Sequence, residues 1–154
     1  MNRLKRRLAS AVAVSGIVAT AVLGGAATAS ATDPADAPAG YAGPYATCNG
    51  VALPPLQLSG TPGYVQLWLD RSGSGTFCAK TFDNLAGDHH TEIILQRADW
   101  QTRWYDSGTY STYAGGIYVS GANTHCSRVY GEVTVNGVAH RLPTVDGWVT
   151  VCAN

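Results

Sequence analysis

Cys48, Cys78, Cys126 and Cys152 are the only cysteines in this chain of 154 residues, and they span nearly all of its C-terminal part. An even set of cysteines is either a disulfide framework or a metal site, and the two differ in spacing and in redox compartment. No Cys-x-x-Cys pair is present, which disfavours a tetrahedral zinc site. The N-terminus supplies the compartment. Arg3, Lys5, Arg6 and Arg7 precede an uncharged, mostly apolar run from Leu8 to Leu23 and then the small-residue stretch "GGAATASA". That is the layout of a secretory signal peptide over residues 1–31, cleaved after Ala31 or, as the close alternative, after Ala29. A membrane anchor extended to Thr32 is the competing reading, weakened because its second half is Gly, Ala, Ser and Thr. Exported cysteines pair. Three pairings exist, and Cys48–Cys78 with Cys126–Cys152 is favoured because each closes a loop of about thirty residues, worth roughly 3.5 kcal/mol of chain entropy, and can join neighbouring strands.

Losing residues 1–31 removes four of the ten basic residues and none of the ten acidic ones, so six basic residues face ten acidic residues and the net charge is −4. A mildly acidic chain whose one remaining lysine is Lys80 lacks the field needed to hold a phosphate backbone, so nucleic acid is not the expected partner. After cleavage no membrane contact is expected either. Residues 32–46, "TDPADAPAGYAGPYA", read as a flexible Ala/Pro/Gly-rich lead-in. Residues 47–154 then form a single domain of about 105–110 ordered residues, large enough to bury a core.

Periodicity within that domain is that of strands. In "YVQLWLD", Val65, Leu67 and Leu69 share one face while Trp68 lies on the polar one. "RSGSG" is a turn, and "TFCAKTF" resumes with Phe77, Ala79 and Thr81 on one face, so Arg71–Phe82 reads as a hairpin arm fastened through Cys78. Asp83–His90 follows as a polar loop and "TEIILQR" as a strand. "ADWQTRWY" spaces Trp100 and Trp104 for one helical face or for an irregular connection. Gly115-Gly116 marks a turn or bulge inside "TYSTYAGGIYV". Asn136-Gly137, between "SRVYGEVTV" and "VAHRL", is a type I′ hairpin signal, and Asp146-Gly147 leads into a last strand ending at Cys152. Recurring strands without a convincing long helix predict an all-β fold, a small antiparallel β-sandwich or barrel stabilised by two disulfides.

Chemistry is less legible. If Thr91 begins a strand, His90 and Glu92 share a face and form a candidate acid–base pair, with Asp99 or Asp106 as the further acid. The plainer reading makes Asp88, His89 and His90 a wet loop, since nothing nearby marks a nucleophile and no Gly-x-Ser-x-Gly is present. The spacing of Asp88, His89, His90, His125 and His140 matches no metal-binding pattern, so neither metal nor cofactor is expected. The aromatic residues are the other constellation. Trp68, Trp100, Trp104, Tyr105, Tyr110 and Tyr113 are candidate binding residues, as a stacking platform for sugar rings or a partner surface, against the alternative that they fill the core.

"YVQLWLDRSGSGTFCAKTFDNLAGDHH" and "RADWQTRWYDSGTYSTYAGGIYV" resemble the spore-associated protein A family of small exported proteins from filamentous, sporulating actinomycetes. The resemblance covers most of the mature domain, implies a location at the spore or hyphal surface and carries no assigned site residues. The leading expectation is a non-enzymatic exported domain contacting wall polymer or neighbouring surface proteins through its aromatic residues. A small secreted hydrolase of glycans or wall polymer is the alternative, and a secreted protease inhibitor a further one.

Overall fold

A computed structural model describes residues 37–153. The signal peptide expected over residues 1–31, the first five residues of the lead-in and Asn154 lie outside the described residues. The chain forms β1 (Tyr41–Ala42), β2 (Val51–Ala52), β3 (Leu56–Gln57), β4 (Tyr64–Asp70), β5 (Thr76–Phe82), β6 (His89–Arg97), β7 (Trp104–Tyr110), β8 (Tyr113–Ser120), β9 (Ser127–Val135), β10 (Val138–Arg141) and β11 (Trp148–Val151). Among the described residues there is no helix. Sheet A has the order β1-β8-β5-β4-β2, with β3 also on β4; sheet B has the order β10-β9-β6-β7, with β11 also on β9. Every pairing is antiparallel. The two sheets stack as a sandwich and do not close into a barrel.

Period-two patterning builds the core between them. Val65, Phe77, Ile93, Leu95, Ile117, Val129 and Val133 all have 0% exposure and come from both sheets. Turn chemistry sets the register. The Asp70 carboxylate accepts the Ser72 N–H at 2.8 Å in the β4–β5 turn, and Asn136 and Gly137 take φ of 52° and 78° in the β9–β10 hairpin, as a type I′ turn requires. The Cys48–Cys78 and Cys126–Cys152 disulfides form, the second tying the end of β11 to the start of β9.

Composition misleads over the lead-in. Ala37–Ala46 is part of the fold: β1 pairs with β8, and Tyr41 is buried against Trp100 with its hydroxyl donating to the Thr102 carbonyl at 2.5 Å. A single aromatic anchor and long-range hydrogen bonds order a stretch with otherwise little to bury. Residues 43–50 then cross the outer face of sheet A as a strap, running from β1 at one edge to β2 at the other. Tyr45 exchanges two backbone hydrogen bonds with Gly116, at 2.9 and 2.8 Å. Gly116 is the extra residue of a bulge, since the register jumps from Ala79↔Ile117 to Lys80↔Gly115. A Cβ on Gly116 would lie 2.7 Å from Cys48 Sγ and 2.8 Å from Cys78 Sγ, so glycine makes room for the bridge beneath the strap.

Candidate functional site

Strand β6 places His90, Glu92, Ile94 and Gln96 on the outer face of sheet B, while Thr91, Ile93 and Leu95 point into the core. The register extends this into two rows. One runs Ser107, Glu92, Glu132, Arg141 across β7, β6, β9 and β10. The adjacent row runs Tyr105, Ile94, Tyr130, Trp148 across β7, β6, β9 and β11. His90 and Glu92 do share a face, and the strand begins at His89, so both histidines belong to β6 rather than to the preceding loop.

Neither predicted third acid joins them. Asp99 lies past the far end of β6, beyond Arg97, and roughly 16 Å of strand separates Glu92 from Arg97. Its carboxylate is held by Arg97 through two hydrogen bonds of 2.6 Å and lies 3.4 Å from His125 Nε2. Asp106 points inward, because the β period puts it on the opposite face from Ser107. It is 2% exposed, accepts the Tyr110 hydroxyl and the Gly115 N–H, both at 2.6 Å, and so supports the bulge. Its neighbourhood pushes the Tyr110 hydroxyl far above its ordinary range, burial first and the Asp106 carboxylate second.

The carboxylate beside Glu92 is Glu132, its direct cross-strand partner, with Cβ atoms in such pairs about 4.5–5.5 Å apart. Burial, and then the Glu132 charge, raise the Glu92 carboxyl above its ordinary 4.5, with His90, Arg103 and Arg141 pulling the other way. Burial also acts to raise Glu132, but hydrogen bonds from Tyr130, Arg141 and Thr134 outweigh it and leave the carboxyl below 4.5. Arg141 Nε donates to Glu132 Oε2 at 2.6 Å, Thr134 Oγ1 to Oε1 at 3.2 Å, and the Tyr130 hydroxyl also donates to Oε2. Two carboxyl groups with affinities for protons pushed apart are the equipment of acid–base chemistry. Sequence could not select Glu132, because forty residues separate it from Glu92 and only the β6–β9 register joins them. Ser107 Oγ lies 3.4 Å from His90 Nε2, too long for a strong hydrogen bond.

The six predicted aromatic residues do not form one platform. Trp104 is 6% exposed in the core, and Tyr110 points inward beside Asp106. Trp100 packs at the sandwich edge between Tyr41 and the Arg97 guanidinium. Trp68 and Tyr113 lie on the outer face of sheet A, where Tyr113 meets Phe82 and the Lys80 ammonium, 3.8 Å from its ring. Tyr105, 41% exposed, is the one that reaches the outer face of sheet B. The stretch 98–105 is a turn leading into a strand, not a helical turn, which is why Trp100 and Trp104 part company. Tyr130 and Trp148 take the vacant places in the row, at ring centroids 5.5 Å apart, with the guanidiniums of Arg141 and Arg128 beside them.

Lys80 is 5% exposed and donates to the Ala46 carbonyl of the strap at 2.5 Å. With the Tyr113 ring, this compensates its buried charge. Below the loop after β5, His89 Nδ1 lies 3.1 Å from the buried Asp83 carboxylate. Among the described residues, no three His, Cys, Asp or Glu side chains gather as a metal site. A comparison with known protein families, curated proteins and solved structures finds no match to the chain.

Proposed function

We propose that this chain is an exported, non-enzymatic β-sandwich retained at the spore or hyphal surface through contact of the outer face of sheet B with wall polymer. One observation carries the reading: the row Tyr105, Ile94, Tyr130, Trp148 lies beside the polar row Ser107, Glu92, Glu132, Arg141. Tyr105 and Trp148 supply the accessible rings of this row, Ile94 and Tyr130 being buried, and rings stack on sugars while adjacent carboxylates and guanidiniums bond hydroxyl and charged substituents along a chain. Such an open, strand-crossing surface suits an extended polymer better than a compact molecule. Two disulfides and the N-terminal layout support export, and the family resemblance supports the location. The test is sedimentation of the oxidised mature protein with purified spore walls. Tyr105→Ala with Trp148→Ala is expected to cut the retained fraction at least tenfold, and undiminished retention by the folded double variant removes the proposal.

The Glu92–Glu132 pair favours a second reading, a hydrolase of wall glycan in which Glu92 is the proton donor and Glu132 the ionised partner. On this reading the walls release soluble sugar fragments, and Glu92→Gln abolishes the release. Fragment release unaffected by that variant discards this site.

A further inference from the structure

We propose a second binding site, on the opposite sheet from the wall-contact surface: the cavity between the strap and β1–β8 takes a neutral saccharide unit. The cavity has a volume of about 610 Å³, inside the range of about 300–1,000 Å³ usual for small-molecule sites. Tyr45 and Tyr118 supply its aromatic wall, with ring centroids 5.8 Å apart and edge to face. Tyr45 is 48% exposed, which leaves a ring face free to stack on the apolar face of a sugar.

Polar groups ring this wall. Thr47, Asn49, Thr76 and Ser120 all line the cavity. Among the described residues their hydroxyl and amide side chains hold no hydrogen bond, so they present neutral donors and acceptors to whatever enters. Among the described residues, no Asp, Glu, Lys, Arg or His lines the cavity. The one buried ammonium nearby, on Lys80, is already committed to the Ala46 carbonyl and the Tyr113 ring. Aromatic faces, several uncommitted hydroxyl and amide groups and no charge among the described lining residues match a ligand that is ring-shaped, hydroxyl-rich and uncharged.

The cavity is also held open in advance. The strap is anchored by the Cys48–Cys78 bridge and the two Tyr45–Gly116 hydrogen bonds. The Tyr118 hydroxyl accepts the Asn49 N–H at 2.8 Å and donates to the Thr47 carbonyl at 2.9 Å, which fixes the rim. At the other side, a Cβ on Gly40 would meet Trp100 at 2.4 Å and Ser120 Oγ at 3.0 Å, so the backbone approaches where only glycine fits. A pre-formed cavity loses little ordering entropy on binding.

The experiment is an amide chemical-shift titration of the oxidised mature protein with three neutral probes, cellotriose, maltotriose and triacetylchitotriose. Glucosamine trimer, a uronic acid trimer and phenol are the comparison probes. At least one neutral trisaccharide is expected to shift residues 40–49, 76 and 118–120. Asn49→Ala with Thr76→Val, which removes two uncommitted polar groups and no structural hydrogen bond, is expected to weaken that binding at least tenfold while leaving the spectrum folded. Tyr45→Ala gives a second, independent loss. Absence of shifts at these residues with all three neutral probes overturns the proposal. So does equal binding of a charged trimer or phenol there, or unchanged affinity in the double variant. Wall retention through Tyr105 and Trp148 is read separately, so either site can fail without the other.

Discussion

Glu92 and Glu132 show how one residue's environment sets its contribution to stability. Glu92 has its folded-state carboxyl raised above 4.5, so its contribution to folding is fully present below that value and is lost as pH rises through the raised one. Glu132 is the opposite case: its contribution is present above 4.5 and disappears as pH falls through its lowered value. Glu92→Gln is therefore expected to melt higher than the parent at pH 7, with the two converging below pH 4.5, as thermal unfolding at both pH values will show. A parent that melts higher at pH 7 would contradict the assigned strain. At this scale the sequence was readable where a residue's role depends on its own strand. His90 beside Glu92 and Trp68 on the outer side of β4 follow from alternation alone. Trp104 and Tyr105, treated together as binding residues, separate because neighbours in a strand face opposite ways.

The strap is the element that most exceeds local reading. "YAGPYATCNG" has no periodicity to announce a structure, and its order comes from partners far along the chain: Gly116, Tyr118, Cys78 and Lys80. Its consequence is visible in β5, where Cys78 and Lys80 are buried on the outer face as thoroughly as Phe77 and Ala79 are on the inner one. Replacing Cys48 and Cys78 together by serine is expected to cost about 3 kcal/mol in urea unfolding, and to weaken binding of the neutral trisaccharide because the cavity loses its anchored wall. Unchanged affinity would mean that hydrogen bonds alone hold the strap. The bulge at Gly115-Gly116 was half legible. The glycine pair marks an irregularity, whereas Asp106 as the carboxylate that receives the Gly115 N–H is a tertiary fact.

At the scale of the molecule, the sandwich depends on how closely two sheets approach. Gly131 of β9 sits at that contact, and a Cβ there would lie 2.2 Å from Val65 Cγ2 and 2.7 Å from Thr81 Oγ1. Both are core groups with 0% exposure, so neither has room to yield. Gly131→Ala is expected to destabilise by about 1–3 kcal/mol through overpacking, measurable as a lower urea midpoint; an unchanged midpoint would show that the sheets can separate at no cost. The same stacking leaves two outer faces with different fates. The strap crosses the face of sheet A and leaves a cavity beside it, while on sheet B Tyr105, Trp148 and Arg141 reach the surface and Ile94, Tyr130 and Glu132 are buried.

Alternation of apolar side chains and the Asn136-Gly137 turn determine that this chain makes antiparallel strands, because each signal acts over a few residues; loop length favours Cys48–Cys78 with Cys126–Cys152 among three possible pairings, and the tertiary structure selects that one. Which carboxylate meets Glu92, which tyrosine and tryptophan complete the row begun by Tyr105, and where residues 43–50 lie were decided by tertiary structure. Those contacts join segments tens of residues apart, and they exist only once the β6–β9 and β5–β8 registers are set.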